Sequence, residues 1–464
     1  MVVRVRKEGR QWVQTAKAPT ARTLERLEHN VSLTALKPSA KAPVVDLTLH
    51  ENTPVGEAIA AALKAHGNKQ APLQTTPQLQ LRYATDIQRT TLTRTMDGSV
   101  VELALDQGRI RTSRRSGAVC HVSELEIELK SGAPDAVVAL ARQLCADHGL
   151  YLSSISKSMK GQRLANPGVP VPAVTARPAA FGHDATGPQM VQAVLQSCLN
   201  QILPNASEIA SGSVDADHIH QLRVGIRRLR SALRELDGLA GLTSCAFDPA
   251  WEPALVAVFR ALGTHRDSDY QNQTIGPQLL AAGGPVFAPA DLGVAMPDLA
   301  AQVRAADFQD CLLGLVGAVH AAGDVADAAH PPMPPKKLKK TLCKRLGKLH
   351  AKALKGSAEF LTLPAEEQHA VRKRLKRLRY IAEFAAPLFS QDKVDSFIAS
   401  LKPVQEALGL TNDEANALAA YRQRAEQEPQ AWFGVGWLTA QLNTHTLDCQ
   451  AALDRFAEAE VFWD

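Results

Sequence analysis

Aromatic side chains make up only 5% of this 464-residue chain, too few for a surface whose main business is stacking on bases. Cysteine is sparse: the seven, at 120, 145, 198, 245, 311, 343 and 449, are scattered, odd in number and form no CxxC pair. That usage argues against a zinc ribbon or a disulfide framework and predicts a reduced, cytoplasmic setting. The chain lacks any run of about 18 apolar residues, which speaks against a membrane-spanning helix. The opening MVVRVRKEGR is basic with no apolar stretch behind it, so no secretory signal is expected. What is present is ordinary for a globular protein: 45% hydrophobic, 21% charged, and a length that predicts two or three domains.

The net charge of +5 hides an asymmetry. Residues 1–165 hold 23 basic and 15 acidic side chains, whereas residues 184–464 hold 28 basic and 32 acidic. Between them, residues 161–189 contain five prolines and one acidic residue, which predicts an extended linker. The expected organisation is a first domain over 1–165, a linker over 166–186 and a second domain over 187–464. Further breaks are expected near 272–300 and at HPPMPP (330–335).

Before the linker the texture is strand-like. Residues 82–115 read as three short strands with turns at Asp97-Gly98 and Gln107-Gly108. In HVSELEIELK the alternation of Glu124, Glu126 and Glu128 with Leu125, Ile127 and Leu129 puts three carboxylates on one face. Residues 134–149 read as an amphipathic helix. After the linker the apolar period becomes 3.6, which predicts helices throughout.

The helical half repeats itself. His220-Gln-Leu-Arg-Val-Gly-Ile-Arg-Arg-Leu-Arg230 and His369-Ala-Val-Arg-Lys-Arg-Leu-Lys-Arg-Leu-Arg379 share H-x-x-R-x-x-x-[RK]-R-L-R at an offset of 149. Ala261-Leu-Gly-Thr-His-Arg-Asp267 and Ala407-Leu-Gly-Leu-Thr-Asn-Asp413 match at an offset of 146. Two ordered matches at nearly one offset predict duplicated helical units, over about 187–325 and 336–464, packed face to face. At about 100° per residue, His220, Arg223, Arg227, Arg230 and Arg234 form one stripe, opposite Leu222, Ile226, Leu229 and Leu233. His369, Arg372, Lys376 and Arg379 form the equivalent stripe.

Together with the lysine-rich stretch 336–355, which includes Lys337, Lys340 and Lys344, these segments hold 20 of the 28 basic residues of this half and no acidic residue. Like charges at i, i+4 repel by a few tenths of a kcal/mol each, so the stripes call for a polyanion. Arginine's planar fork suits phosphate, and counterion release drives such binding. A solvated basic helix face is the plainer alternative. The regular intervals and the missing glutamate partners argue against it.

These motifs resemble the CHAD family, whose pattern near the start of each half is H-x-L-R-V-x-x-R-R-x-R, followed by a-L-G-x-x-[RN]-D. The resemblance covers about 187–464. It implies binding of inorganic polyphosphate through His220, Arg223, Arg227, Arg228, Arg230, Arg234, His369, Arg372, Lys376, Arg377 and Arg379, with Lys337, Lys340 and Lys344 on the rim. Arg266/Asp267 and Asn412/Asp413 match the second motif, and the two aspartates are expected to hold basic side chains in place.

The first half resembles the CYTH family, the triphosphate tunnel fold, in the arrangement of bacterial CYTH–CHAD inorganic triphosphatases. The matching pieces are VRVRKEGRQWVQTAK (3–17), ERLEHN (25–30), TDIQRTTL (85–92), VELALDQGRIR (101–111), ELEIEL (124–129) and SISKSMKG (154–161). The resemblance implies an antiparallel barrel in which Arg4, Arg6, Lys17, Arg89, Arg111 and Lys157 contact triphosphate, with Lys17, Arg89 and Lys157 catalytic. It makes Glu28 an inward carboxylate. It assigns Mg²⁺ or Mn²⁺ to Glu126 and Glu128, with Glu102 and Glu124 as further candidates. The family's E-x-E-x-K strand has no counterpart in the sequence, so an incomplete tunnel with an open edge is expected.

The expected fold is therefore α+β and multidomain: an incomplete antiparallel β tunnel, then an all-α duplicated helical bundle. The expected function is polyphosphate binding coupled to a triphosphatase-type domain, in the cytoplasm or on polyphosphate granules. The alternatives are an active Mg²⁺- or Mn²⁺-dependent inorganic triphosphatase and a nucleic-acid-binding protein.

Overall fold

The computed structural model describes residues 1–20, 25–33, 43–65, 81–112, 117–239, 247–285, 287, 296–321 and 332–464. The chain forms two compact units that interleave in sequence. One comprises Met1–Gly132 and Ser153–Val171, the other Ala133–Leu152 and Pro172–Asp464.

The first unit contains two three-stranded antiparallel sheets. Strands β1 (Val2–Glu8), β2 (Gln11–Pro19) and β3 (Arg26–Ser32) pair in that order. Helix α1 (Pro54–Ala65) is built from AIAAALKA, good helix formers, with proline tolerated in its first turn. It lays Val55, Ile59 and Leu63 against Ala16, Val3 and Leu27 on one face of the sheet. The register Arg4↔Thr15↔Asn30 leaves the other face polar. Among the described residues β1 pairs with β2 alone and is an edge strand of its sheet.

Strands β4 (Tyr83–Met96), β5 (Ser99–Thr112) and β6 (Val119–Ser131) make the second sheet. Asp97 and Gly98, at φ 48° and 75°, form the tight turn between β4 and β5, the positive φ values that a two-residue hairpin demands. The turn expected at Gln107-Gly108 is absent, for β5 runs straight through it. Gly108 serves another purpose. A Cβ there would meet the Asp86 carbonyl oxygen at 2.1 Å, so glycine permits the close approach of β4. Helix α3 (Lys157–Ala165) is capped by Ser156, whose Oγ accepts from the Met159 amide at 3.3 Å, and it packs across this sheet. No closed barrel forms among the described residues.

The second unit is helical. Helix α2 (Asp135–His148) belongs to it, linked by Arg142 to Asp310 at 2.6 Å. The proline-rich segment after residue 172 does not hang free. Val174 exchanges two hydrogen bonds with the Asn205 side chain at 3.1 and 2.9 Å, and the Arg177 carbonyl accepts from Ser197 at 2.6 Å. Both polar partners lie on α4 (Gly187–Ala210). Then come α5 (Ala216–Glu235), α6 (Trp251–Tyr270), α7 (Gly276–Ala281), α8 (Leu299–Arg304) and α9 (Ala306–Ala321). Four longer helices follow: α10 (Pro335–Lys355), α11 (Ala365–Ala385), α12 (Gln391–Ala425) and α13 (Trp432–Ala457).

The duplication is visible as α4–α5–α6 and α10–α11–α12, with α5 packed on α11. Helix α5 starts at Asp215, whose side chain accepts from the Asp217 and His218 amides. Its Leu222, Ile226 and Leu229 are fully buried, each contributing about 1.5–3 kcal/mol. Gly225 lets α4 come close, since a Cβ would lie 2.8 Å from Ile202 Cγ1. No helix among the described residues is long and apolar enough to cross a membrane.

Candidate anion sites

Burying one side of α5 and of α11 leaves their basic stripes pointing toward α6 and α12, and the two ALG-x-x-x-D segments close the site. Arg223 lies 4.0 Å from Asp267, and Arg372 lies 4.0 Å from Asp413. The repeats thus reproduce one arrangement twice. They also cross over. Arg266 of the first repeat donates to Asp413 of the second at 3.0 Å, and Asn416 of the second donates to Asp267 at 3.4 Å. His369 Nδ1 bonds Asn412 Oδ1 at 3.0 Å.

The cations outnumber their partners. Arg223 Nε and Nη1 and Arg372 Nε are buried with no protein acceptor among the described residues, and buried donors are nearly always satisfied. Burial, then Arg227, pushes Arg223 down to about 10. Burial, against the pull of Asp413, pushes Arg372 down to about 10. Lys376 is pushed down to about 6 by burial and by Arg227 and Arg372, and no carboxylate pairs with it among the described residues. Burial and the nearby arginines also lower His220, and burial with Lys373 and Arg372 lowers His369. Desolvation raises the Asp267 carboxyl.

Not every expected contact joins this group. Arg228 is a correction: it is buried, donating to Gln201 at 2.9 Å and Ser197 at 3.2 Å. It ties α5 to α4. Arg230 is paired with Glu252 at 2.5 Å, Arg377 with Glu235 at 3.3 Å and Arg379 with Glu383 at 2.7 Å. Arg227 and Arg234 have no ion pair among the described residues. Lys337, Lys340 and Lys344 are exposed on α10. Sequence reasoning left out Arg266 as a site residue, although its place beside Asp267 in the repeated motif was the available signal.

In the first unit the strand register assembles a second charged group. Arg89 faces Asp106 across β4–β5, and Asp106 faces Glu124 across β5–β6. Arg89 forks onto Asp106 at 2.7 and 2.6 Å and reaches Glu126 at 2.5 Å. Lys157, from α3, sits among Asp106 at 2.6 Å, Glu126 at 2.7 Å and Glu124, and Lys160 holds Glu124 at 2.7 Å. Burial alone would raise the carboxyls of Asp106 and Glu126, but Arg89 and Lys157 outweigh it and lower both. Burial would likewise lower Lys157, and the three carboxylates reverse that.

The opposing sheet offers Arg4, Arg6, Lys17 and Glu28 on one face. Lys17 pairs with Glu28 at 2.5 Å and Arg6 with Glu8 at 2.7 Å. Arg4 is lowered by burial and by Arg6, its Nε has no acceptor among the described residues, and it feels the charges of Glu126 and Arg89. Arg111 does not join them. The pairing Ala84↔Arg111 puts it on the opposite face of its sheet from Arg89, 3.9 Å from Asp86.

Glu124, Glu126 and Glu128 do share a face, as the alternation predicts. Glu128, however, is held with Glu102 by Lys130 at 3.1 and 3.2 Å. The carboxylates that converge are Asp106, Glu124 and Glu126, with oxygens within 4.8 Å of one another. These hard oxygen donors fit Mg²⁺ or Mn²⁺, with the Lys157 ammonium now on the same oxygens. Asp106 was missed. Counting back from the Asp97-Gly98 turn places it opposite Arg89.

The chain thus holds two groups of charged side chains, one on the helices and one on the sheets. Residues 1–161 match the CYTH domain model and residues 193–422 the CHAD domain model. The chain therefore carries a CYTH domain followed by a CHAD domain. Among solved structures it is similar to the crystal structure of the CHAD domain from the plant Ricinus communis. The identity is 26% over 61% of this chain and 96% of that one, with a TM-score of 0.48.

Proposed function

We propose that the chain binds inorganic polyphosphate between α5–α6 and α11–α12. One observation carries this reading: buried guanidinium donors of Arg223 and Arg372, related by the duplication, have no protein acceptor and are joined by an unpaired Lys376. A chain of phosphates supplies acceptors and negative charge together, and releases counterions on binding. Arg223, Arg227, Arg266, Arg372 and Lys376 grip it, His220 and His369 flank it, and Asp267 and Asp413 hold the arginines apart. Polyphosphate granules are a natural place for such a protein to concentrate.

The test is calorimetric titration with long-chain polyphosphate. The pair Arg223→Glu with Arg372→Glu is expected to lose at least about tenfold in affinity, and unchanged affinity overturns the reading. RNA displacing polyphosphate at physiological salt with equal phosphate content would favour the nucleic-acid alternative instead.

The convergence of Asp106, Glu124 and Glu126 favours a second reading, metal-dependent hydrolysis of tripolyphosphate in the CYTH domain. Those three residues would hold Mg²⁺ or Mn²⁺, which supplies polarisation of phosphoryl oxygens. Arg4 and Lys17 on one sheet, with Arg89 and Lys157 on the other, bind and orient the phosphate oxygens. Phosphate release from tripolyphosphate with either metal, abolished by Asp106→Asn, is the expected result. No release from the wild type rejects it.

A further inference from the structure

The two halves of the helical site are not equivalent. In the first repeat three guanidinium groups of α5 gather on one ring. The Cζ atoms of Arg223, Arg227 and Arg230 lie 4.8, 5.5 and 5.9 Å from the centroid of Phe259 on α6. In the second repeat the position equivalent to Phe259, at the same offset of 146 as the ALG segments, is Gln405. Gln405 accepts one hydrogen bond from Arg379, the counterpart of Arg230, at 2.8 Å. Where the first repeat has a shared aromatic face, the second has an amide serving one arginine.

The difference matters for anion binding. An arginine stacked on a ring keeps its planar edge, with its N–H donors, free for an oxygen acceptor, and the ring's quadrupole offsets repulsion among neighbouring cations. A hydrogen-bonded arginine has spent donors on its partner. Arg379 is so committed, to Gln405 and to Glu383, and its counterpart Arg230 is committed to Glu252. Arg223 and Arg227 have no such bonds among the described residues, and neither do their counterparts Arg372 and Lys376, so the ring under Arg223 and Arg227 is what sets the two repeats apart.

We infer that Phe259 is a positioning residue for the anion, aligning the α5 arginines edge-on so that the first repeat grips phosphate more tightly than the second. This inference rests on the polyphosphate reading of the site. Phe259 touches no anion itself and acts only through the guanidinium groups.

The experiment is polyphosphate titration of the full chain with Phe259→Leu, Phe259→Trp and Gln405→Phe, each also in an Arg223→Gln/Arg227→Gln background. Phe259→Leu is expected to weaken binding about fivefold, and Phe259→Trp to restore it. In the arginine-substituted background Phe259→Leu should cost much less, because the two ring-held arginines without a carboxylate hydrogen bond are gone and Arg230 stays on Glu252. Gln405→Phe is expected to leave binding unchanged or to strengthen it. Thermal melting separates loss of fold from loss of alignment, since Phe259→Trp preserves the apolar bulk. If the wild type binds and Phe259→Leu binds equally, or weakens binding to the same extent in both backgrounds, the inference is overturned. If the wild type does not bind, it is the polyphosphate reading that falls.

Discussion

Arg266 donates to Asp413 at 3.0 Å, a bond that runs from the first helical repeat into the second. The same carboxylate lies 4.0 Å from Arg372, so one aspartate serves cations from both halves of the duplication. The site is therefore a shared structure between repeats, with its few carboxylates spaced to hold arginines that repel one another.

Replacing that aspartate has a definite consequence. Asp413→Asn removes negative charge from beside Arg266 and Arg372, and is expected to lower the stability of the free protein by about 1–3 kcal/mol. Saturating polyphosphate should recover most of the loss, because the ligand supplies the missing charge. Melting temperature with and without polyphosphate checks this. An equal loss under both conditions would show that Asp413 acts only in local packing.

Lys376 predicts a proton linkage. Its folded pKa, about 6, lies below the ordinary lysine value of 10.5. Between these values the unfolded chain holds the proton and the folded chain does not, so the stability of the free protein rises with pH across that window. Below it both states are charged and the cost of the buried ammonium is felt in full. A bound polyanion favours the charged form, so binding takes up a proton and weakens as pH rises. Titrations in buffers of different ionisation enthalpy, on the alkaline side of histidine titration, should show uptake in the wild type and markedly less in Lys376→Met. Equal uptake in both would refute the linkage.

The Asp106–Glu124–Glu126 group predicts a competition between ammonium and metal. Lys157→Met leaves Glu124 and Glu126 with fewer cations and should destabilise the protein by about 1–3 kcal/mol. The variant should nonetheless bind Mn²⁺ more tightly than the wild type, by paramagnetic resonance, because the metal no longer has to displace Lys157. Weaker Mn²⁺ binding would mean that these oxygens do not receive the ion. The pH response has a fixed sign. The lowered carboxyls of Asp106 and Glu126 stabilise the fold above the ordinary carboxylate range, and that stability is lost as pH falls through their folded values. Asp106→Asn should flatten the acid limb of denaturation below about pH 4.

Much of this was readable in residue order. Helix periodicity placed Leu222, Ile226 and Leu229 inward and the stripe of Arg223, Arg227, Arg230 and Arg234 on the opposite side, since burial and 3.6-residue geometry act within one element. The Glu124–Glu126–Glu128 row followed from strand alternation in the same way. Gln107-Gly108 misled because a glycine that permits close strand approach has the composition of a turn. Arg111 misled because alternation in β5 puts it on the face opposite Asp106.

The sequence by itself determined the duplication, the basic stripes and the register of the β4–β5 hairpin, because each depends on spacing along one or two adjacent elements. Tertiary structure alone decided which cations remain available. Gln201 and Ser197 engage Arg228, Glu252 engages Arg230, and Glu235 engages Arg377, each from a different helix. Lys157 reaches Asp106 and Glu126 only once α3 has crossed the sheet. Charge is written locally, but its neutralisation depends on which neighbours packing brings within hydrogen-bond distance.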